Sequence, residues 1–267
     1  EDVRRTLTPL LDGTAPTALV WIQAMPGRHR LGASVLAQVA GELGDEAPDI
    51  APVALAAFVA NLRALRARGA ILAYHDVADG GVFASLAEMA FASRAGLDVS
   101  LDGFAGDPRA VLFAEEIGAV VQVPATEAAR VVADAVASGL GAHAIARVAA
   151  HDRIRVTRGG ETLLDAARAE LHGEWSSLTH AMQRMRDLPQ AADEEHARIA
   201  DAHDAGLSPV VAFDATRPPV APFVGKGARP RVAVLREQGV NGQVEMAAAF
   251  DRAGFDAFDV HTTDLAS

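Results

Sequence analysis

Short apolar runs alternate with helix-forming segments along the first 173 residues of the chain. Continuous apolar runs suit buried strands, whereas apolar residues spaced three and four apart suit one face of a helix. The predicted strands are 18–22, 71–74 and 117–123, and the predicted helices are 53–68, 82–92 and 127–138. A hairpin is predicted at 153–164, with its turn at Gly159-Gly160. Strands and helices interleaved in this way predict one mixed α/β (α+β) domain over residues 1–173.

A helix and a connection are predicted to follow this domain, over residues 174–228. The helix covers 174–186, and its apolar stripe predicts docking onto a neighbouring domain rather than a ligand site. The stripe consists of Trp175, Leu178, Met182 and Met185. The prolines that follow are Pro189, Pro209, Pro218, Pro219, Pro222 and Pro230. Because proline interrupts helices and central strands, this stretch is predicted to be extended over the surface.

The last segment, residues 229–267, is predicted to begin a separate domain. A strand at 232–235, a helix at 243–253 and a strand at 255–260 make a β-α-β unit, which starts a parallel sheet. Parallel sheets are normally buried on both faces, and two strands with one helix cannot achieve this. The domain is therefore predicted to be truncated. The chain also opens with Glu1 rather than Met, which predicts an internal piece of a longer protein.

Composition excludes several classes of protein. Half of the 267 residues are apolar, so a sizeable core can form. The net charge of -11 and the pI of about 5.2 argue against a protein that binds nucleic-acid phosphates. The absence of cysteine excludes disulfides, thiolate metal sites and thiol nucleophiles within this sequence. No apolar run reaches membrane-spanning length, so a cytoplasmic protein without membrane or nucleic-acid partners is predicted.

The segment with the clearest chemical signal is Tyr74-His75-Asp76-Val77-Ala78-Asp79-Gly80-Gly81, between a predicted strand and a predicted helix. Loops at the carboxyl ends of strands are common ligand sites in α/β sheets. Gly80 and Gly81 allow close approach of the backbone to a ligand, and the N-terminus of the next helix favours a phosphate. Two carboxylates, Asp76 and Asp79, would repel that phosphate unless a hard cation such as Mg²⁺ lay between them.

Each side chain of this segment also has a structural interpretation. Asp79 is interpreted as the cap of the following helix. From its chemistry alone, Asp76 is equally compatible with a metal ligand and a solvated loop residue. His75 is interpreted as structural, and Glu115 and Glu116 as solvated residues ahead of a strand.

Several segments, in order, resemble the phosphoribosylformylglycinamidine synthase family in its large, single-chain form. Residues 75–91, HDVADGGVFASLAEMAF, are similar to the carboxyl-terminal half of its synthetase ATP-binding module, as are 113–123, FAEEIGAVVQV, and 31–49. Residues 175–188 resemble its inter-domain helix. Residues 227–260 resemble the start of its class I glutamine amidotransferase domain, including the REQGVN segment.

The resemblance implies a ligase of purine biosynthesis. Members of the family convert formylglycinamide ribonucleotide to the corresponding amidine, using ATP, Mg²⁺ and ammonia drawn from glutamine. Asp76 matches a family Mg²⁺ ligand, and Ala78, Gly80 and Gly81 match its ATP-binding loop. The family usually has Arg-Ser where this chain has Val77-Ala78, so a contact with ATP at Ala78 must use the backbone.

The resemblance also implies that no catalytic residue lies within this chain. The family's glutaminase nucleophile is a cysteine with histidine and glutamate partners, and all three would lie beyond Ser267. With half of the nucleotide pocket expected before Glu1, the isolated chain is predicted to bind ATP weakly. Two alternatives stay open from the sequence: another ATP-using small-molecule kinase of the same superfamily, or a non-catalytic scaffold module.

Overall fold

The structure, a computed structural model, describes residues 6–201, 204, 206–214, 216–217 and 227–265. The chain divides into two compact units, Glu1–Asp204 and Ala205–Ser267, which are described separately. The first unit confirms the predicted mixed α/β fold. The domain boundaries drawn from the sequence, after residues 173 and 228, remain a prediction.

One seven-stranded sheet organises the described part of the first unit. Its strands are β1 (Thr17–Gln23), β2 (Ala73–Asp76), β3 (Gly96–Ser100), β4 (Gly118–Pro124), β5 (Gly141–Ala149), β6 (Arg153–Arg158) and β7 (Glu161–Ala167). Its helices are α1 (Val35–Ala40), α2 (Pro52–Ala67), α3 (Gly81–Ser93), α4 (Pro108–Phe113), α5 (Ala128–Ala137), α6 (Arg168–Arg186) and α7 (Pro189–Ala197). The strand order is β2-β4-β1-β5-β3-β6-β7. Neighbouring strands are antiparallel, except for the parallel pair β3 and β6.

Strand β1 lies inside the sheet, and this position explains the uninterrupted apolar run at its residues 18–22. Leu19 and Trp21 belong to a core that includes residues of α3 and α4. Val20 and Ile22 belong to a second core, which includes residues of α2 and α5. Since successive side chains of a strand point to opposite faces, residues 18–22 of β1 supply both cores and are all apolar.

Helix α2 buries a narrower face than its apolar stripe predicts. Phe58, Asn61 and Leu65 are buried, whereas Leu55 and Val59 are exposed. At 3.6 residues per turn, Leu55 and Val59 lie well to one side of the buried face. The buried stripe therefore covers only part of the apolar surface that the sequence offers.

Helix α7 corrects the prediction of an extended stretch after Pro189. Pro189 is the first residue of this helix, a position where the missing N–H of proline leaves no hydrogen bond unmade. Helix α6 also begins six residues earlier than predicted, at Arg168 rather than at residue 174. Pro218, Pro219 and Pro222 lie outside the described residues. None of the described helices combines the length and the apolar character needed to cross a membrane.

The described part of the second unit is the predicted β-α-β unit. It consists of β8 (Arg231–Arg236), α8 (Gln243–Arg252) and β9 (Asp256–His261), with a short 3-10 turn at Thr262–Leu265. The two strands are parallel, as predicted. Val234 is the buried apolar side chain among the described residues of this unit, whereas Leu235, Val244 and Phe258 are exposed.

The first unit is expected to lose stability as the pH falls below about 6.5, the value near which histidines of an unfolded chain titrate. Burial lowers the pKa of His29 and of His143. Burial and the nearby Arg168 and Arg94 guanidinium groups lower the pKa of His172. Between these lowered values and about 6.5 the unfolded chain binds more protons, so acidification favours unfolding.

Urea denaturation at pH 7.5 and at pH 5.5 measures this effect. We expect a lower midpoint at pH 5.5, and a smaller difference between the two midpoints in the His172→Gln variant. Equal midpoints at the two pH values would contradict the prediction.

Candidate nucleotide and metal site

The candidate site is the connection between β2 and α3. Strand β2 is an edge strand and pairs with β4, and it begins two residues later than predicted, so that Asp76 is its last residue. The N–H of Val77 donates to the carbonyl of Gly118 at 2.9 Å, which keeps the start of the loop on the sheet. The chain then turns through Ala78, Asp79 and Gly80 and enters α3 at Gly81.

Both glycines of the loop are required by the backbone. Gly80 and Gly81 have φ values of +81° and +70°, which residues with a Cβ rarely adopt. A Cβ on Gly81 would also lie 2.6 Å from the carbonyl oxygen of Leu112. The fold therefore needs glycine at position 81 whether or not a ligand binds, and the ligand-binding role of the two glycines remains a prediction.

Asp76 presents a carboxylate that is available for a ligand. Its side chain is 71% exposed, and its carboxylate oxygen Oδ1 lies 4.0 Å from Nδ1 of His75. Among the residues that the structure describes, no three acidic or histidine side chains are grouped so that they could hold a metal ion. A single exposed carboxylate can supply one oxygen to Mg²⁺, which commonly takes its other ligands from a phosphate and water.

Asp79 does not cap α3, so the prediction made for it is wrong. The N-cap residue is Gly80, and no side chain hydrogen-bonds to the cap. Because Gly80 takes up the left-handed conformation at the cap, the preceding Asp79 carboxylate is not in the cap position and is exposed.

The Glu115 carboxylate accepts hydrogen bonds from two backbone N–H groups, a role that the sequence does not predict. Its Oε1 accepts hydrogen bonds from the N–H of Gly80 and from the N–H of Val35, each at 2.9 Å. Val35 is the first residue of α1, so one carboxylate joins the starts of α1 and α3. The expectation that Glu115 is merely solvated is therefore wrong. No local pattern signals this role, because 35 residues separate Glu115 from Gly80.

Replacing Glu115 by alanine is expected to lower the free energy of unfolding by about 1.5–3 kcal/mol, since two N–H groups would lose a charged acceptor. Chemical denaturation followed by Trp21 fluorescence measures this change. The Glu115→Gln variant keeps Oε1 as an acceptor and should lose less than half as much. If both variants matched the parent chain, the bridge would contribute nothing.

Glu116 is buried and ion-paired, which also corrects the expectation for it. Only 2% of its side chain is exposed. Its two carboxylate oxygens accept from Nε and an Nη of Arg30 at 2.7 and 2.9 Å. These hydrogen bonds, with help from Glu46, raise the pKa of Arg30. Arg30 also donates to the carbonyl of Asp49 at 2.7 Å, so it holds the segment around α1 next to the start of β4.

His75 contacts the next residue, Asp76, and also Glu88, which lies 13 residues further along the chain on α3. Its Nδ1 is 2.7 Å from the carbonyl oxygen of Asp76, and its Nε2 is 2.8 Å from Oε2 of Glu88. The other oxygen of Glu88 accepts a hydrogen bond from Nε1 of Trp175 at 3.1 Å. Trp175 and the rest of the α6 stripe are otherwise exposed, so docking of that stripe onto another domain remains a prediction.

Comparison with known families assigns the larger part of this chain. Residues 18–159, more than half of its length, match the AIR synthase related protein, C-terminal domain. The chain belongs to the AIR synthase related family. Residues 229–267 of this AIR synthase related protein match a second family, the CobB/CobQ-like glutamine amidotransferase domain. The two assignments agree with the order of segments that the resemblance implied.

Solved structures of Thermotoga maritima proteins share the fold. PurL complexed with FGAR is 18% identical, with a TM-score of 0.54, and the match covers 63% of this chain and 30% of that one. PurL complexed with ATP is 16% identical, with a TM-score of 0.50 and coverages of 62% and 27%. PurLQS is 17% identical, with a TM-score of 0.52 and coverages of 63% and 28%. The AIR synthase related chain thus spans less than a third of the length of these proteins.

Proposed function

We propose that this chain is part of a phosphoribosylformylglycinamidine synthase, the ATP-dependent C–N ligase that makes formylglycinamidine ribonucleotide in purine biosynthesis. One observation carries the proposal: an AIR synthase related domain at 18–159 precedes a glutamine amidotransferase segment at 229–267 in one chain. The first supplies an ATP-using fold, and the second is the kind of domain that releases ammonia from glutamine. A small-molecule kinase has no use for such a segment.

We place Mg²⁺ and the ATP phosphates at the loop between β2 and α3. The exposed carboxylate of Asp76 fits Mg²⁺ as a single oxygen ligand, and Mg²⁺ would neutralise charge on the phosphate oxygens. Gly80 already donates its N–H to Glu115, and Gly81 donates to the carbonyl of Ala78. Within the described part of the chain, the N–H of Ala78 has no acceptor, which suits the backbone contact expected there.

The rest of the proposal concerns the parent protein. Its substrates would be formylglycinamide ribonucleotide, ATP and glutamine, and its place of action the cytoplasm. The remaining metal ligands and the glutaminase nucleophile would come from sequence outside this chain. Residues 1–173, 174–228 and 229–267 would be the synthetase domain, the connection and the start of the glutaminase domain.

Phosphate release by the full-length protein tests this proposal. We expect release from ATP and Mg²⁺ that requires formylglycinamide ribonucleotide and that either glutamine or ammonia supports. Omitting the ribonucleotide is the control, because an ATPase or a kinase with another substrate would ignore it. Release that is indifferent to the ribonucleotide would overturn the proposal.

A further inference from the structure

We infer that Ser85 and Glu88 are positioning residues for Asp76. Both lie on α3 and hold the backbone of Asp76 beside this helix, Ser85 directly and Glu88 through the ring of His75. The carboxylate of Asp76 stays free. This inference rests on the proposed function, since it concerns the metal ligand named there. It assigns a purpose to three polar side chains that lie next to the site and that the proposed reaction does not otherwise use.

Two side chains lie within hydrogen-bond distance of the carbonyl oxygen of Asp76. Nδ1 of His75 lies 2.7 Å from it, and the hydroxyl oxygen of Ser85 lies 3.0 Å from it. The Ser85 hydroxyl oxygen is also 3.2 Å from the carbonyl oxygen of Gly81. Its single proton is therefore shared between a carbonyl at the start of the loop and a carbonyl at its end. Ser85 is only 2% exposed, and water does not compete freely for these bonds.

Glu88 sets the orientation of the His75 ring. It lies one turn after Ser85 on α3, and its Oε2 is 2.8 Å from Nε2 of His75. Its Oε1 accepts from Nε1 of Trp175 at 3.1 Å, so the carboxylate itself is held from both sides. Because a carboxylate can only accept a hydrogen bond, Glu88 holds the ring through Nε2, and this contact places Nδ1 beside the carbonyl of Asp76.

The result is a rigid backbone beneath a free side chain. The backbone of Asp76 is tied to α3 through Ser85 and His75, while its carboxylate is 71% exposed. A metal ligand that is held in place before the metal arrives loses less freedom on binding, and supporting hydrogen bonds keep it within the productive geometry. Contacts that only stabilise the fold would not need to meet at the carbonyl of Asp76, the exposed acidic residue at the end of β2.

The test measures metal binding directly, by Mn²⁺ electron paramagnetic resonance on the full-length protein with a non-hydrolysable ATP analogue. Glu88→Ala should weaken Mn²⁺ binding about 10-fold, a typical loss when a partner of a metal ligand is removed. Glu88→Gln should bind Mn²⁺ about as tightly as the parent protein does, because the glutamine amide can donate to Nε2 of His75 and accept from Trp175. Ser85→Ala should weaken binding by itself, and it keeps the test decisive if Glu88→Ala does not fold.

Three outcomes separate the possibilities. A lower melting temperature with unchanged Mn²⁺ affinity in both Glu88→Ala and Ser85→Ala would overturn the positioning role and leave a structural one. Loss of binding in Asp76→Asn together with normal binding in those two variants would keep the proposed metal site and reject the inference. Unchanged binding in Asp76→Asn would reject the metal site itself, and the inference with it.

Discussion

Replacing Asp76 by asparagine in the full-length protein is expected to lower ATP-dependent phosphate release by about 100-fold or more, the scale of loss when a group that stabilises transition-state charge is removed. The carboxylate is exposed and makes no hydrogen bond with the described residues, so the fold should be unchanged. Steady-state phosphate release with ammonia as the nitrogen source measures the effect without requiring glutaminase activity.

Asp79→Asn is the matched control for this result. It removes the same charge from the same exposed loop, three residues further along, and Asp79 has no partner in the described part of the chain. Its phosphate release should stay within about twofold of the parent protein. Similar losses in both variants would mean that the loop acts through its total charge, and no loss in Asp76→Asn would remove Asp76 from the site.

The second large effect is expected for Arg30→Met, which should lower the free energy of unfolding by about 3–5 kcal/mol. The substitution leaves the Glu116 carboxylate buried and without the guanidinium that accompanies it at 2.7 Å. It also removes the hydrogen bond from Arg30 to the Asp49 carbonyl. Urea denaturation followed by the fluorescence of the buried Trp21 measures the change in the first unit.

Two further variants show how much of this loss in the free energy of unfolding comes from the buried charge. The double variant Arg30→Met, Glu116→Leu removes both charges and should recover much of the lost stability, since no unpaired charge is left buried. Arg130→Met removes an exposed arginine whose nearest carboxylate oxygen is 3.7 Å away, and it should change stability by less than about 0.5 kcal/mol. Equal effects in Arg30→Met and Arg130→Met would show that burial of the Glu116 pair contributes nothing.

Sequence patterns were sufficient wherever one local requirement dominated. Residues 18–22 of β1 are all apolar because the strand faces two cores, and the turn at Gly159-Gly160 identified the hairpin of β6 and β7. Strand β5 escaped prediction because alanine, which has little preference for strands, occupies alternate positions along most of it. Strand β3 begins at Gly96, where a Cβ would lie 1.7 Å from the His151 carbonyl oxygen. No local sequence pattern predicts this close approach.

The same distinction applies to the candidate site. The sequence singles out Asp76, Gly80 and Gly81 because they lie in one short segment between a predicted strand and a predicted helix. The roles of Glu115 and Trp175 depend on contacts across 35 and 87 residues, and no periodicity or spacing encodes them. Ser85 and Glu88 were adjacent to the motif, but their hydrogen bonds become apparent only once α3 is packed beside the end of β2.

The close packing of Gly81 has a consequence for how relatives of this protein will diverge. A relative in which the proposed site had lost its role would still need glycine there, because any side chain would strike the Leu112 backbone. Selection for folding alone would preserve that glycine, whereas the proposed metal-binding role is what would preserve the exposed Asp76. Among such genes, the proposal therefore predicts copies that keep the glycine at position 81 but carry another residue at position 76, and these would be the copies that no longer bind the metal.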